Sequence, residues 1–96
     1  MNGTMIMKDC QILRIEKGDT NDPSIIWYQC LCMQGNDISK TNIITIDKAF
    51  QDKKFVGLTV DLVVQVSEHT RNNFKTSKFK IIDLLKDGHS IKPVEK

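Results

Sequence analysis

The sequence predicts an all-β protein, a five-stranded antiparallel barrel with one short helix between the third and fourth strands. Three observations carry this expectation. The strongest periodicity along the chain is two: Leu58, Val60, Leu62, Val64 and Val66 alternate with Thr59, Asp61, Val63, Gln65 and Ser67, the pattern of a half-buried strand. The remaining apolar runs are short, rich in β-branched and aromatic residues, and carry neither helix caps nor helical spacing. Only one stretch, IDKAFQDKKFVG, has helical character.

Taken in order, the first run (Met5 to Glu16) is a strand whose phase slips near Cys10: Ile6, Cys10 and Ile12 precede Leu13 and Ile15, and a bulge or bend reconciles the two halves. KGDTNDPS follows as a turn-rich loop. SIIWYQCLCM reads as the second strand, QGNDISKT as a second loop and TNIITID as a third, β-branched strand. In the helical stretch Asp47 is the expected N-cap and Gly57 the stop. LTVDLVVQV is the fourth strand. SEHTRNNFKTS reads as a basic loop, and SKFKIIDLL as the fifth strand, with Phe79 and Ile81 on one face and Lys78, Lys80, Ile82 and Leu84 on the other. KDGHSIKPVEK closes the chain as a polar tail.

The totals bound the possibilities. Ninety-six residues make one domain, 1–96, with its core over about 5–86 and the polar tail over 87–96. Hydrophobic residues make up 40% and charged residues 27%, which supports a real core rather than wholesale disorder. No window approaches the roughly 18 consecutive apolar residues of a membrane span. The opening MNGTMIMKDC lacks a basic segment followed by an apolar one, so a signal peptide is not expected and a cytoplasmic location is. Cys10, Cys30 and Cys32 are odd in number and have no disulfide-framework spacing. His69 and His89 share no motif with them, so they read as buried thiols, and neither metal nor cofactor is expected. There is no nucleophile–histidine–acid signature, phosphate loop or paired carboxylate, so the chain does not read as an enzyme.

Strand, loop, strand, loop, strand, short helix, strand, basic loop, strand is the order of the OB-fold, with an SH3-like small barrel as the alternative. OB barrels bind oligonucleotides across strands 2 and 3 and at the loops joining strands 1–2 and 4–5. The net charge is only +2, but the segment Ser67 to Lys80 concentrates Arg71, Lys75, Lys78 and Lys80 against the single acid Glu68. Phe74 stands in its middle with two readings: a core residue plugging the barrel's end, or an exposed ring on which a base stacks. Trp27 and Tyr28 are adjacent on a strand and must face opposite ways. Trp27 is expected inward and Tyr28 outward, because a phenol tolerates exposure better than an indole. Gln29 and Thr45 share the candidate sheet. Lys8, Arg14 and Lys17 could extend a basic track, and Lys53, Lys54 and Phe55 could instead offer a protein-binding surface.

In order and pattern, SIIWYQCLCM, TNIITIDKAF, FVGLTVDLVVQV and FKTSKFKIIDLL resemble the small single-stranded-DNA-binding proteins of phages and other mobile elements, such as the filamentous-phage helix-destabilising proteins. The resemblance covers roughly residues 5–86. It implies stacking by Tyr28 and Phe74 and phosphate contacts by Arg71, Lys75, Lys78 and Lys80. It also implies a role in DNA replication or transfer, a homodimer, and an accessory place beside a polymerase, primase or helicase. Two departures stand out: IKPVEK is not the acidic tail of cellular relatives, and aromatic content is only 6%. RNA in place of DNA, and a protein-interaction module or phage-type inhibitor that binds no nucleic acid, are the other readings.

Overall fold

In the computed structural model, which describes residues 3–18 and 21–91, six strands form one sheet that closes on itself. They are β1 (Gly3–Lys17), β2 (Tyr28–Gln34), β3 (Thr41–Ile46), β4 (Thr59–Arg71), β5 (Phe74–Lys86) and a two-residue β6 (His89–Ser90). β1 lies between β2 and β4, with β3 beyond β2 and β5 beyond β4, all antiparallel. A parallel pairing of β3 with β5, at Thr45–Lys80 and Ile46–Ile81, closes the five-stranded barrel. This is the OB-like, all-β architecture expected from the sequence. The SH3-like alternative, with its helical turn before the last strand, does not fit. None of the described residues forms a helix long and apolar enough to cross a membrane.

β1 serves both halves of the barrel, pairing β4 with its first half and β2 with its second. Its register shifts twice, between Met7 and Cys10 and again between Ile12 and Arg14. At the first bulge Asp9 adopts φ 55°, and its amide donates to Asp61 Oδ1 at 3.0 Å. A short acidic side chain tolerates that left-handed backbone. The bulge re-aims the strand so that Cys10 and Ile12 are fully buried. The slip in phase near Cys10 therefore has the expected cause.

The expected short helix is instead two separate 3-10 turns, Lys48–Phe50 and Lys53–Phe55. The reason is a tandem Asp-Lys-x-Phe. Asp47 Oδ1 accepts from the Ala49 amide and Asp52 Oδ1 from the Lys54 amide, both at 3.0 Å, so the second cap restarts the chain before a helix can propagate. Phe50 and Phe55 are buried and meet edge to face, with centroids 5.3 Å apart. The suggested protein-binding use of Phe55 is overturned by that burial.

Leu62 and Val64 are buried as the alternation of the fourth strand requires. β5 departs from its expected phase. Ile82 is an extra residue opposite the Val63–Val64 step, so Ile81 and Leu84 both point inward. Cys10, Cys30 and Cys32 are buried free thiols in the same core. Burial, with Cys32, Asp61 and Asp9 nearby, pushes the Cys10 thiol up to about 11. Its hydrogen bond with Cys32, together with burial, pushes Cys30 well up.

Two boundaries move. The second strand, expected from Ser24, begins at Tyr28. Asp22 folds the preceding residues into a local turn, accepting from the Ser24 amide at 2.9 Å and hydroxyl at 2.7 Å. The tail begins later than residue 87. Asp87 and Gly88, both at positive φ, turn the chain so that β6 pairs back on β5 and the Ile91 amide donates to the Leu84 carbonyl at 3.0 Å. The rest of the expected tail, 92–96, lies outside the described residues, as do Asp19 and Thr20 of the first loop.

Candidate functional site

The segment read as a basic loop is the tip of an unbroken β-ribbon. β4 and β5 stay paired from Ser67–Lys78 to Arg71–Phe74, and only Asn72 and Asn73 turn the chain, at φ 52° and 67°. Two successive left-handed residues are the geometry of a type I′ turn, which asparagine adopts readily. Every residue from Glu68 to Lys80 is exposed, so the ribbon stands clear of the barrel.

Alternation then sorts the candidate residues. Val64 and Ile81 are paired and buried, which fixes the inward face. Continuing by twos, that face carries Val66–Phe79, Glu68–Ser77 and Thr70–Lys75. The outward face carries Gln65–Lys80, Ser67–Lys78, His69–Thr76 and Arg71–Phe74. Arg71, Phe74, Lys78 and Lys80 therefore share one face, and Phe74 is 74% exposed, so its ring does not plug the barrel. Phe74, Thr76, Lys78 and Lys80 form a row with a repeat of roughly 6.7 Å and a length of about 20 Å. Lys75 is on the opposite face and does not join them.

Tyr28 does not join them either. It has the parity of the buried Cys30 and Cys32 and packs against the core. Trp27, just before β2, is half-buried and rests where a Cβ on Gly18 would stand. It lines a groove with Thr45 and Lys80. Tyr28, expected outward, therefore faces inward, and Trp27, expected inward, is half-buried at the edge of the grooves. The C-x-C spacing was the signal that could have found it, because two core cysteines at 30 and 32 place 28 inside.

The outer face of β2 and β3 is less suited to a polyanion. Gln29 donates to Glu16 Oε1 at 3.0 Å, and Arg14 Nη2 lies 3.4 Å from the same oxygen. The amide and guanidinium are thereby engaged by a carboxylate. Lys8 and Lys17 flank the ends of β1's pairing with β2 and are not on the ribbon. Thr45 stays adjacent to Lys80 through the parallel closure.

No protein-family model, curated protein or solved structure matches this chain.

One more feature adjoins the site. β3 meets β5 only at its last two residues, and the two strands part towards their N-termini. The parting leaves an open groove of about 640 Å³, with Met5, Met7, Ile44 and Phe79 on its apolar floor and Asn42 and Lys78 among the polar groups beside them. Phe79 shares a face with Ile81 as expected, but it lies beyond the point where β3 covers that face and is 44% exposed.

Proposed function

We propose that the chain binds single-stranded nucleic acid, with DNA the expected strand, along the outward face of the β4–β5 ribbon. The observation that carries this reading is the assembly of Arg71, Phe74, Lys78 and Lys80 on one projecting, solvent-exposed face. An exposed aromatic ring offers a stacking platform to any base, and cations spaced along a strand follow a phosphate backbone. Trp27, beside Lys80, is the natural second platform at the barrel end of the row. Tyr28 is withdrawn from this role by its inward position, and Lys75 by its place on the other face.

In this reading the chain is a binding protein rather than an enzyme. It serves DNA replication or transfer in a phage or mobile element, in the cytoplasm, as an accessory to a polymerase, primase or helicase. Three buried free thiols agree with a reducing compartment.

The test is fluorescence anisotropy of a labelled single strand of about 20 nucleotides, longer than one OB fold covers at the low end of known site sizes. Affinity is expected to fall with salt with a log–log slope of about −2, from three cations at about −0.7 each. Phe74→Ala weakens binding by about 1–3 kcal/mol, and Arg71→Ala lowers the salt slope by about 0.7. Unlabelled duplex competes poorly. A chain that shows no binding at low salt does not have this function.

A further inference from the structure

The hydrogen-bonding pattern of the ribbon says which backbone groups are spoken for. In a hairpin with a two-residue turn the closing pair, here Arg71–Phe74, exchanges both its bonds, and paired residues then alternate. Phe74, Thr76 and Lys78 thus direct their amides and carbonyls at β4. Lys75, Ser77 and Phe79 direct theirs the other way. That parity continues into the closure, where the Ile81 carbonyl accepts from the Asp47 amide at 2.9 Å on the β3 side. β3 meets β5 only at Lys80 and Ile81, so from Phe74 to Phe79 this edge of β5 has no strand beside it among the described residues.

We propose that this open edge takes an extended, alternating apolar and acidic segment of a partner protein as an added strand, laid into the groove between β5 and β3. This inference goes beyond nucleic-acid binding: it rests on the open backbone edge of β5 and the apolar floor beside it, while Trp27, Lys78 and Lys80 border both surfaces. About six residues of added strand fit between the tip and the closure, a span of roughly 20 Å. Alternate side chains of the guest meet the apolar floor of Met5, Met7, Ile44 and Phe79. Methionine's flexible thioether adapts to varied apolar guests. Main-chain bonds to an edge supply affinity and the alternating pockets supply selectivity.

The charge around the groove selects the occupant. The groove lining holds one charged side chain, Lys78, and no acid. Lys75 and Lys80 stand on the same strand, and Glu68, opposite Ser77, is the acid on that face of the ribbon. Lysines along an edge deter an identical edge, because a second copy brings the same cations against them. An acidic strand meets no such penalty.

The experiment selects random peptides, about twice as long as the open edge, against the full chain by display. The enriched peptides are then measured by anisotropy with wild type, Ser77→Pro and Lys75→Glu. Ser77→Pro removes an amide aimed at the open edge while leaving the β4 ladder intact, a position where an edge strand accepts proline. Expected is enrichment of alternating apolar and acidic residues, with affinity lowered at least about tenfold by either substitution. The amides of Lys75, Ser77 and Phe79 also become slower to exchange on binding, while those of Phe74, Thr76 and Lys78 change little. Single-strand binding stays within about twofold in Ser77→Pro, whose side chain and amide face away from the proposed DNA row, so the two readings fail separately. No enrichment, enrichment without acidic residues, or undiminished binding to Ser77→Pro overturns the proposal.

Discussion

Phe50 and Phe74 have the same side chain and opposite roles, and strand geometry decides between them. Phe50 is fully buried against Phe55, so Phe50→Ala is expected to cost about 3–5 kcal/mol, read from the denaturant midpoint. Phe74 is 74% exposed, and Phe74→Ala should leave that midpoint within about 0.5 kcal/mol while weakening single-strand binding. A large loss of stability in Phe74→Ala would mean that the ring packs in solution. The thiols give a second expectation at this scale. Cys10 is an acid whose folded pKa is raised from 9.0 to about 11, so the folded chain keeps a proton that the unfolded chain releases. Stability is then full below pH 9 and falls as pH rises from 9 towards 11, by on the order of 2 kcal/mol for this group. Cys10→Ala is expected to flatten the decline in urea melts taken across that window; an unchanged slope would remove Cys10 as its source. Cys30 is legible as a core residue from its apolar run, and by parity it places Tyr28 inside; the adjacency of Trp27 and Tyr28 alone gives opposite faces without saying which is inside.

At the scale of the element, β4 was readable because its alternation is backed by burial on one side. The same period continues to Arg71, but beyond Val66 both faces of the ribbon are polar apart from Phe74, so hydropathy no longer marks it. Serine, threonine and asparagine between Ser67 and Ser77 then read as loop. The informative signals were the dipeptides Asn72-Asn73 and Asp87-Gly88, each a two-residue turn between paired strands. The pair of 3-10 turns is hidden for a related reason: IDKAFQDKKFVG reads as one helix capped by Asp47, whereas Asp52 caps a second turn of its own. The ribbon's turn carries its own prediction. Asn73→Val puts a β-branched side chain at φ 67° and is expected to cost about 1–2 kcal/mol of local hairpin stability. Asn73→Gly leaves the hairpin intact or tighter. The readout is the set of cross-strand nuclear Overhauser contacts between residues 68–71 and 74–77. Single-strand affinity should fall with those contacts in the valine variant, since Arg71 and Phe74 flank the turn. If the contacts vanish and affinity holds, the paired ribbon is not what displays those two residues.

For the whole molecule, the strand order was legible because each connection leaves its own composition in the sequence, whereas the open seam was not. The seam follows from lengths and twist: β3 has six residues and β5 has 13, so the shorter strand cannot cover the longer one. Closure therefore rests on two residue pairs, while β4 and β5 are paired from Asp61–Leu85 to Arg71–Phe74. This imbalance predicts a hierarchy of opening. Amide exchange in rising denaturant should show the Asp47 amide, bonded across the seam to Ile81, exchanging through a small opening that is nearly independent of denaturant. Leu62 and Val64, buried in β4 between β1 and β5, should exchange only through global unfolding. The ribbon tip, with every residue from 68 to 80 exposed, should also open independently of the barrel. Parting of β3 from β5 without unfolding would widen the groove that an added strand enters, although the edge from Phe74 to Phe79 is open without it. Exchange of Asp47 at the same free energy as Leu62 would mean that the seam is as firmly closed as the core, and an incoming strand would then have to pair with β5 without any help from a yielding barrel.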